Sequence, residues 1–120
     1  LFPLTGLAYH EYEGVALRED EKARLQADLG DKYFMILRNH GLLTCAESMA
    51  DAFLYMFILQ RACEIQLMAQ SGGTPLTPVP DQIVQGMQAA AKQVTNQAGG
   101  GLAWPGLLRK LDRINAPYKL

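Results

Sequence analysis

Polar and apolar residues alternate with two different periods near the start of the chain. Residues 9–13, Tyr-His-Glu-Tyr-Glu, alternate with period two, which predicts a half-exposed strand closed by Gly14. Glu19 to Leu29 carries acidic residues in its first turn, where the helix dipole favours them, and leucines four residues apart. We therefore expect an amphipathic helix that ends at Gly30.

Two apolar runs follow, one short and one long. Tyr33 to Leu37 is short and apolar, which predicts a buried strand. Ser48 to Gln70 predicts a long helix, because Ser48 and Asp51 resemble a capping box and residues 52–59 are all apolar. A helix that is apolar on nearly every side is typical of burial between layers or between subunits.

The composition changes after this helix. Residues 73–80 are rich in proline and predict a linker. Residues 81–97 predict a weakly apolar helix, which we expect Gly99 to Gly101 to break, and Trp104 to Ile114 predicts a short amphipathic helix. Residues 81–120 therefore form a predicted helical tail.

The order of predicted elements indicates the fold class. Strand, helix, strand and helix alternate in residues 1–72, which predicts an α/β layered body followed by the tail. A chain of 120 residues is the size of one domain.

Charge and cysteine content exclude several classes of protein. With 11 basic and 12 acidic residues the net charge is -1, which argues against nucleic acid as a partner. The sequence has no apolar run of ~18 residues, so we expect no membrane span. Two cysteines do not suggest a secreted disulfide framework, and we expect a cytoplasmic protein. The chain begins at Leu1 without a methionine, and we expect it to be part of a longer protein.

The first candidate site residue is His40, in the stretch Phe-Met-Ile-Leu-Arg-Asn-His-Gly-Leu-Leu of residues 34–43. Its position at the end of a predicted buried strand is consistent with a metal ligand, because neutral imidazole is a common donor to transition metals, although the residues by themselves favour the alternative. The alternative is a turn histidine that hydrogen-bonds to the backbone. Arg38 and Asn39 are equally consistent with positioning His40, with binding an anion and with forming a turn.

The other chemically active residues give weaker indications. The remaining soft donors, His10, Cys45 and Cys63, lack the two-to-four-residue spacing of a self-contained zinc site. We interpret both cysteines as small buried apolar residues. Glu11 and Glu13 share one face of the predicted strand, as a catalytic carboxylate pair or as a solvated pair.

Several of these stretches resemble the class II aldolase/adducin head-domain family. The resemblance covers roughly residues 1 to 70, and its most specific part is the Asn-His-Gly strand end followed by the long helix. A weaker similarity links the tail, Trp104 to Tyr118, to one uncharacterised branch. The stretches concerned are Tyr-His-Glu-Tyr-Glu-Gly at 9–14, Leu-Arg-Asn-His-Gly-Leu-Leu-Thr at 37–44, Ala-Phe at 52–53 and Gln-Arg-Ala-Cys-Glu-Ile-Gln at 60–66.

The resemblance implies a fold and a chemistry. It implies a three-layer α/β/α domain with a mostly antiparallel sheet, of which this chain is the C-terminal part, and assembly into a homotetramer. It implies a divalent metal, commonly zinc, held by three histidines, the third of which matches His40. The metal would polarise the carbonyl of a small hydroxy-carbonyl substrate, such as a sugar phosphate, and stabilise an enediolate.

The sequence also departs from the family pattern. It has no His-x-His motif, and the acid/base glutamate and phosphate-binding residues belong to a half that is not present. We therefore expect no catalytic residue in this chain, an incomplete metal site and no activity of this chain alone. The resemblance leaves three alternatives: part of a lyase or epimerase, an adducin-like non-catalytic scaffold, or a stand-alone binding or assembly module.

Overall fold

The computed structural model describes residues 6–15, 19–95 and 99–114. Predictions that concern residues 1–5, 96–98 and 115–120, including the end of the tail, lie outside these ranges. The described elements follow in chain order as β1 (Leu7–His10), α1 (Glu21–Leu29), β2 (Phe34–Leu37), β3 (Gly41–Thr44), α2 (Met49–Ser71), α3 (Asp81–Thr95) and α4 (Gly100–Arg113).

The described strands form one sheet with β2 at its centre. β1 pairs with β2 in parallel, and β2 pairs with β3 antiparallel, so the sheet in this chain is mixed. β3 is absent from the sequence-based prediction, which placed no strand after His40. Leu37 pairs with His10 on one side and with Gly41 on the other, so the end of β1 and the start of β3 flank the end of β2.

The two faces of the sheet carry different helices. Leu7 pairs with Phe34, so both side chains point to one face, where the Phe34 ring packs 5.3 Å from the ring of Tyr55 in α2. His10, three residues after Leu7, points to the opposite face, and its ring bonds to Asp28 in α1. The body is therefore layered as α1, sheet and α2, in agreement with the α/β prediction.

The first strand begins and ends earlier than the predicted residues 9–13. The ladder stops at His10 because β2 stops at Leu37, and the last bond is donated by the Arg38 N–H to the His10 carbonyl at 3.0 Å. Glu11 and Glu13 therefore lie beyond the strand, and the prediction that they share a strand face is wrong.

The long helix α2 begins directly after Ser48, the residue predicted to cap it. The Ser48 hydroxyl accepts a hydrogen bond from the Asp51 N–H at 3.1 Å and so satisfies one of the unpaired donors of the first turn. Leu59 is its buried residue, whereas Phe53 and Phe57 remain about half-exposed. The expectation that α2 buries much of its surface is wrong for the single chain, because the sheet covers only one side of the helix. Burial between subunits stays a prediction.

The tail returns to the body through α4. This helix begins at Gly100, four residues before its predicted start at Trp104. The Gly100 N–H donates to Asp51 Oδ1 at 2.7 Å, and the Trp104 ring packs edge-to-face on Phe53 with centroids 5.7 Å apart. Among the described helices, none is long and apolar enough to cross a membrane.

Candidate functional site

His40 lies in the turn between β2 and β3 and not at the end of a strand. β2 stops at Leu37 and β3 starts at Gly41, and the His40 N–H donates to the Leu37 carbonyl at 3.1 Å. Asn39 adopts φ 54°, a left-handed conformation that asparagine tolerates better than most residues. Asn39 is therefore a turn-forming residue, and the turn exposes the His40 side chain.

Two side chains near His40 are those of Tyr12 and Arg38. The Tyr12 ring is stacked near the imidazole, with centroids 6.5 Å apart and planes inclined by 25°. Arg38 turns the other way: its Nε donates to Glu11 Oε1 at 2.7 Å, and its guanidinium lies 5.0 Å from the centre of the Tyr9 ring. Arg38 therefore has partners of its own, and none of these contacts orients His40.

The described residues do not complete a metal site around His40. No group of three or more His, Cys, Asp or Glu side chains in the described ranges is arranged to hold a metal ion. One exposed imidazole has the right donor chemistry for one ligand, whereas a catalytic zinc takes about three.

The two cysteines do not behave as predicted. Cys45 is exposed, so its interpretation as a buried residue is wrong, because it follows the last residue of the edge strand β3. Cys63 is partly buried and lines the groove between the sheet and α2. Both thiols are free.

The residue that sequence reasoning missed is His10, which is only 4% exposed. Its Nδ1 lies 2.7 Å from Asp28 Oδ2 in α1, while its Nε2 is buried and has no hydrogen-bond partner among the described residues. The nearest acidic oxygens to Nε2 are Glu21 Oε1 at 3.7 Å and Glu13 Oε1 at 4.0 Å, both too far for a good hydrogen bond. The period-two pattern that puts His10 and Ala8 on one strand face was the available signal.

The acidic groups near His10 are partly engaged elsewhere. Arg24 binds both carboxylate oxygens of Glu13 and also contacts Asp20, and these bonds raise the pKa of Arg24. Glu11 is paired with Arg38. The surroundings of Nε2 are therefore polar, with two of the carboxylates balanced by arginines.

Two hollows meet at His40. A small cavity of about 70 Å³ is lined by His10 and His40, with Leu25 and Leu37 also in its wall. A larger, mostly apolar groove of about 390 Å³ runs between the sheet and α2, with Asn39 and His40 among its lining residues. The turn thus presents one imidazole to two spaces of different size.

Comparison with known proteins identifies the family. The sequence profile of the family described as "Class II Aldolase and Adducin N-terminal domain" matches residues 3–67. A Pseudomonas aeruginosa protein, provisionally named as an aldolase class 2 protein, is 60% identical over 122 residues, which cover 99% of this chain and 47% of the relative. Mouse alpha-adducin is 44% identical over 84 residues, which cover 68% of this chain and 11% of the adducin.

A solved structure agrees with the sequence relatives. The crystal structure of an aldolase II superfamily protein from Pseudomonas syringae superimposes with a TM-score of 0.81 and 44% identity, over 93% of this chain and 45% of that protein. The chain thus spans about half the length of the first relatives that it matches. It belongs to the class II aldolase and adducin N-terminal domain family.

Proposed function

We propose that this chain is the C-terminal part of a metal-dependent, class II aldolase-like lyase or epimerase that acts on a small hydroxy-carbonyl compound, including sugar phosphates. The observation that carries the proposal is the placement of His40. The hairpin turn between β2 and β3 holds its imidazole where a small cavity and a larger groove meet. Family membership supports the assignment, because class II aldolases generally depend on a metal.

In this proposal His40 is one ligand of a divalent metal, zinc in the first instance. The described residues do not complete the site, so the other ligands and the acid/base residue lie on sequence outside this chain. The 120 residues alone should therefore be inactive.

The same proposal includes assembly of identical subunits, with a tetramer as the expected form. It also places the protein in the cytoplasm. Its support is the surface of α2, where large apolar side chains remain exposed along the helix: Phe53, Phe57, Ile65, Leu67 and Met68. Large exposed apolar side chains in such number are typical of protein–protein contacts.

The second candidate is an adducin-like scaffold without catalysis. It is favoured by the 44% identity to mouse alpha-adducin over most of this chain. An exposed turn histidine without further ligands in the described ranges is also compatible with it.

Proton exchange separates the two candidates. The full-length protein is incubated with dihydroxyacetone or its phosphate in D₂O, and loss of the proton next to the carbonyl is followed by NMR. A lyase or epimerase should catalyse this exchange, and His40→Ala should abolish it. A full-length protein that is folded, carries metal and shows no exchange above the uncatalysed rate supports the scaffold.

A further inference from the structure

The buried ring of His10 has carboxylates on the side of each of its nitrogens. His10 is 4% exposed, and its Nδ1 lies 2.7 Å from Asp28 Oδ2 in α1. On the other side, Nε2 lies 3.7 Å from Oε1 of Glu21, in the first turn of α1, and 4.0 Å from Oε1 of Glu13, in the loop after β1. Acidic groups from α1 and from this loop therefore converge on one imidazole that β1 supplies.

Only the charged ring offers a donor on both sides. An ionised carboxylate accepts hydrogen bonds and donates none, and a neutral imidazole carries a single N–H. With that proton on Nδ1, towards Asp28, the lone pair of Nε2 faces acidic oxygens, and no residue in the described ranges gives it a hydrogen bond. The charged ring has an N–H at Nε2, and the Glu21 oxygen needs to move by only about 0.8 Å to reach the usual ~2.9 Å from it.

The arginines around the ring are bound to other acids. Arg24 pairs with the Glu13 carboxylate, and Arg38 donates to Glu11 at 2.7 Å. Glu13 is therefore the weaker of the two acids near Nε2, because it shares its charge with an arginine and is also the more distant.

Two opposing effects act on the charge of the His10 ring. Burial disfavours the charged form, because the ring loses its hydration. The carboxylates of Asp28 and Glu21 favour the charged form, and no lysine or arginine in the part of the chain that the structure describes pairs with either of them. His40 lines the neighbouring cavity but is exposed, so solvent screens its charge.

We propose that His10 is a proton-operated latch, whose charged ring binds carboxylates on both sides and so holds α1 more tightly against the sheet. A contact that favours the charged ring stabilises the docked helix fully in acid, and this stabilisation is lost as the pH rises and histidine gives up its proton. The latch needs neither metal nor substrate and so goes beyond the proposed function. Glu21 and Leu25 of α1 line the cavity that His40 also lines, so a looser α1 changes the space beside the proposed ligand.

The test measures amide hydrogen exchange of α1 in the full-length protein, with each rate divided by the intrinsic chemical rate at the same pH. Histidine changes its charge between about pH 5.5 and about pH 8, whereas aspartate and glutamate stay ionised throughout. We expect about tenfold stronger protection of α1 at the lower pH, the effect of a proton bound about tenfold more tightly in the docked state.

Three variants assign the response to the latch. His10→Asn keeps a donor for Asp28 but cannot become charged, so its α1 should be equally protected at both pH values. Glu21→Gln removes the acid nearest to Nε2 and should reduce the difference. Glu19→Gln is the matched control, because Glu19 precedes the same helix but is exposed and pairs with Lys22, and it should respond like the wild type.

Each remaining outcome counts against the latch. Equal protection of wild-type α1 at the two pH values, or stronger protection at the higher one, overturns it. A response that persists in His10→Asn also overturns it, because another group then titrates. If His10→Asn does not fold, ¹⁵N NMR of the wild-type ring decides: a His10 ring that keeps one charge state while the protection of α1 changes overturns the latch, and a ring that changes charge together with it supports the latch.

Discussion

The backbone N–H of Gly100 donates a 2.7 Å hydrogen bond to Oδ1 of Asp51, which joins the start of the tail helix α4 to the first turn of α2. The same carboxylate accepts a bond from the Ser48 hydroxyl that caps α2. One side chain therefore connects the cap of one helix to the N-terminus of the other.

The close approach at this junction predicts opposite effects at two neighbouring glycines. A Cβ on Gly100 would collide with the Ala50 backbone, whereas a Cβ on Gly101 would meet open space. Gly100→Ala should displace α4 and destabilise the chain by about 1–3 kcal/mol, and Gly101→Ala should be neutral or stabilising by up to about 1 kcal/mol. Chemical denaturation of both variants checks this, and equal stability of the two would refute the packing at Gly100.

Acid should loosen the same junction. Bonds from the Ser48 hydroxyl and then from the Gly100 N–H lower the pKa of Asp51 below the usual aspartate value of about 3.9. A depressed pKa gives stability that is complete above about pH 4 and is lost as the pH falls through the folded-state value. Hydrogen exchange in α4 should therefore rise in acid, and this increase should be smaller in Asp51→Asn. An identical acid profile in the variant would exclude Asp51 as the titrating group.

The aromatic contact between the two helices should hold the tail in place. Phe53 is 47% exposed, and its covered side packs on the Trp104 ring. Phe53→Asp replaces this contact with a charge, so the Trp104 fluorescence should shift to the red and the stability or assembly of the protein should fall. Leu102→Asp, at a position 74% exposed on α4, is the control and should change neither. A Phe53→Asp variant with normal assembly and unchanged melting would contradict this contact's importance.

The segment before the tail should be the first place of proteolytic cleavage. Residues 71–82 are all exposed, and Leu76 and Val79 offer apolar sites to thermolysin. Brief digestion followed by mass spectrometry should give first cuts between Ser71 and Asp81, whereas Gly99 to Gly101, held by the bond from Gly100 to Asp51, should be cut later. First cuts within residues 33–70 would contradict the predicted boundary of the body.

Local chemistry explains which elements were predictable. α2 begins one residue after its expected start, because Ser48 and Asp51 form their cap within one turn. β3 was missed because its four residues, Gly41–Thr44, carry no alternation of their own and become a strand only by pairing with β2. The start of α4 was missed for a similar reason: a glycine run discourages a helix locally, and Asp51 supplies its N-terminal partner from 49 residues away.

The candidate site, too, was only partly predictable from the sequence. His40 could be proposed from the sequence because its neighbours Asn39 and Gly41 are recognisable there, although its place in a turn required the pairing of β2 with β3, and its role as a ligand stays a prediction. His10 was missed because Asp28, the residue that orients it, lies 18 positions away on a different element. Burial of an imidazole with one ring nitrogen unsatisfied depends on how the layers pack, and the spacing of residues in the sequence does not reveal it.

The central claim is that His40 is a metal ligand in the intact protein. The direct measurement is the metal content of the full-length protein and of two variants after purification and dialysis, by inductively coupled plasma mass spectrometry. We expect about one divalent metal per subunit in the wild type and in Asn39→Gly, which preserves the left-handed turn, because these proteins keep all ligands. His40→Ala should retain almost none, with folding unchanged by circular dichroism. A His40→Ala protein that still holds one metal per subunit would contradict the assignment.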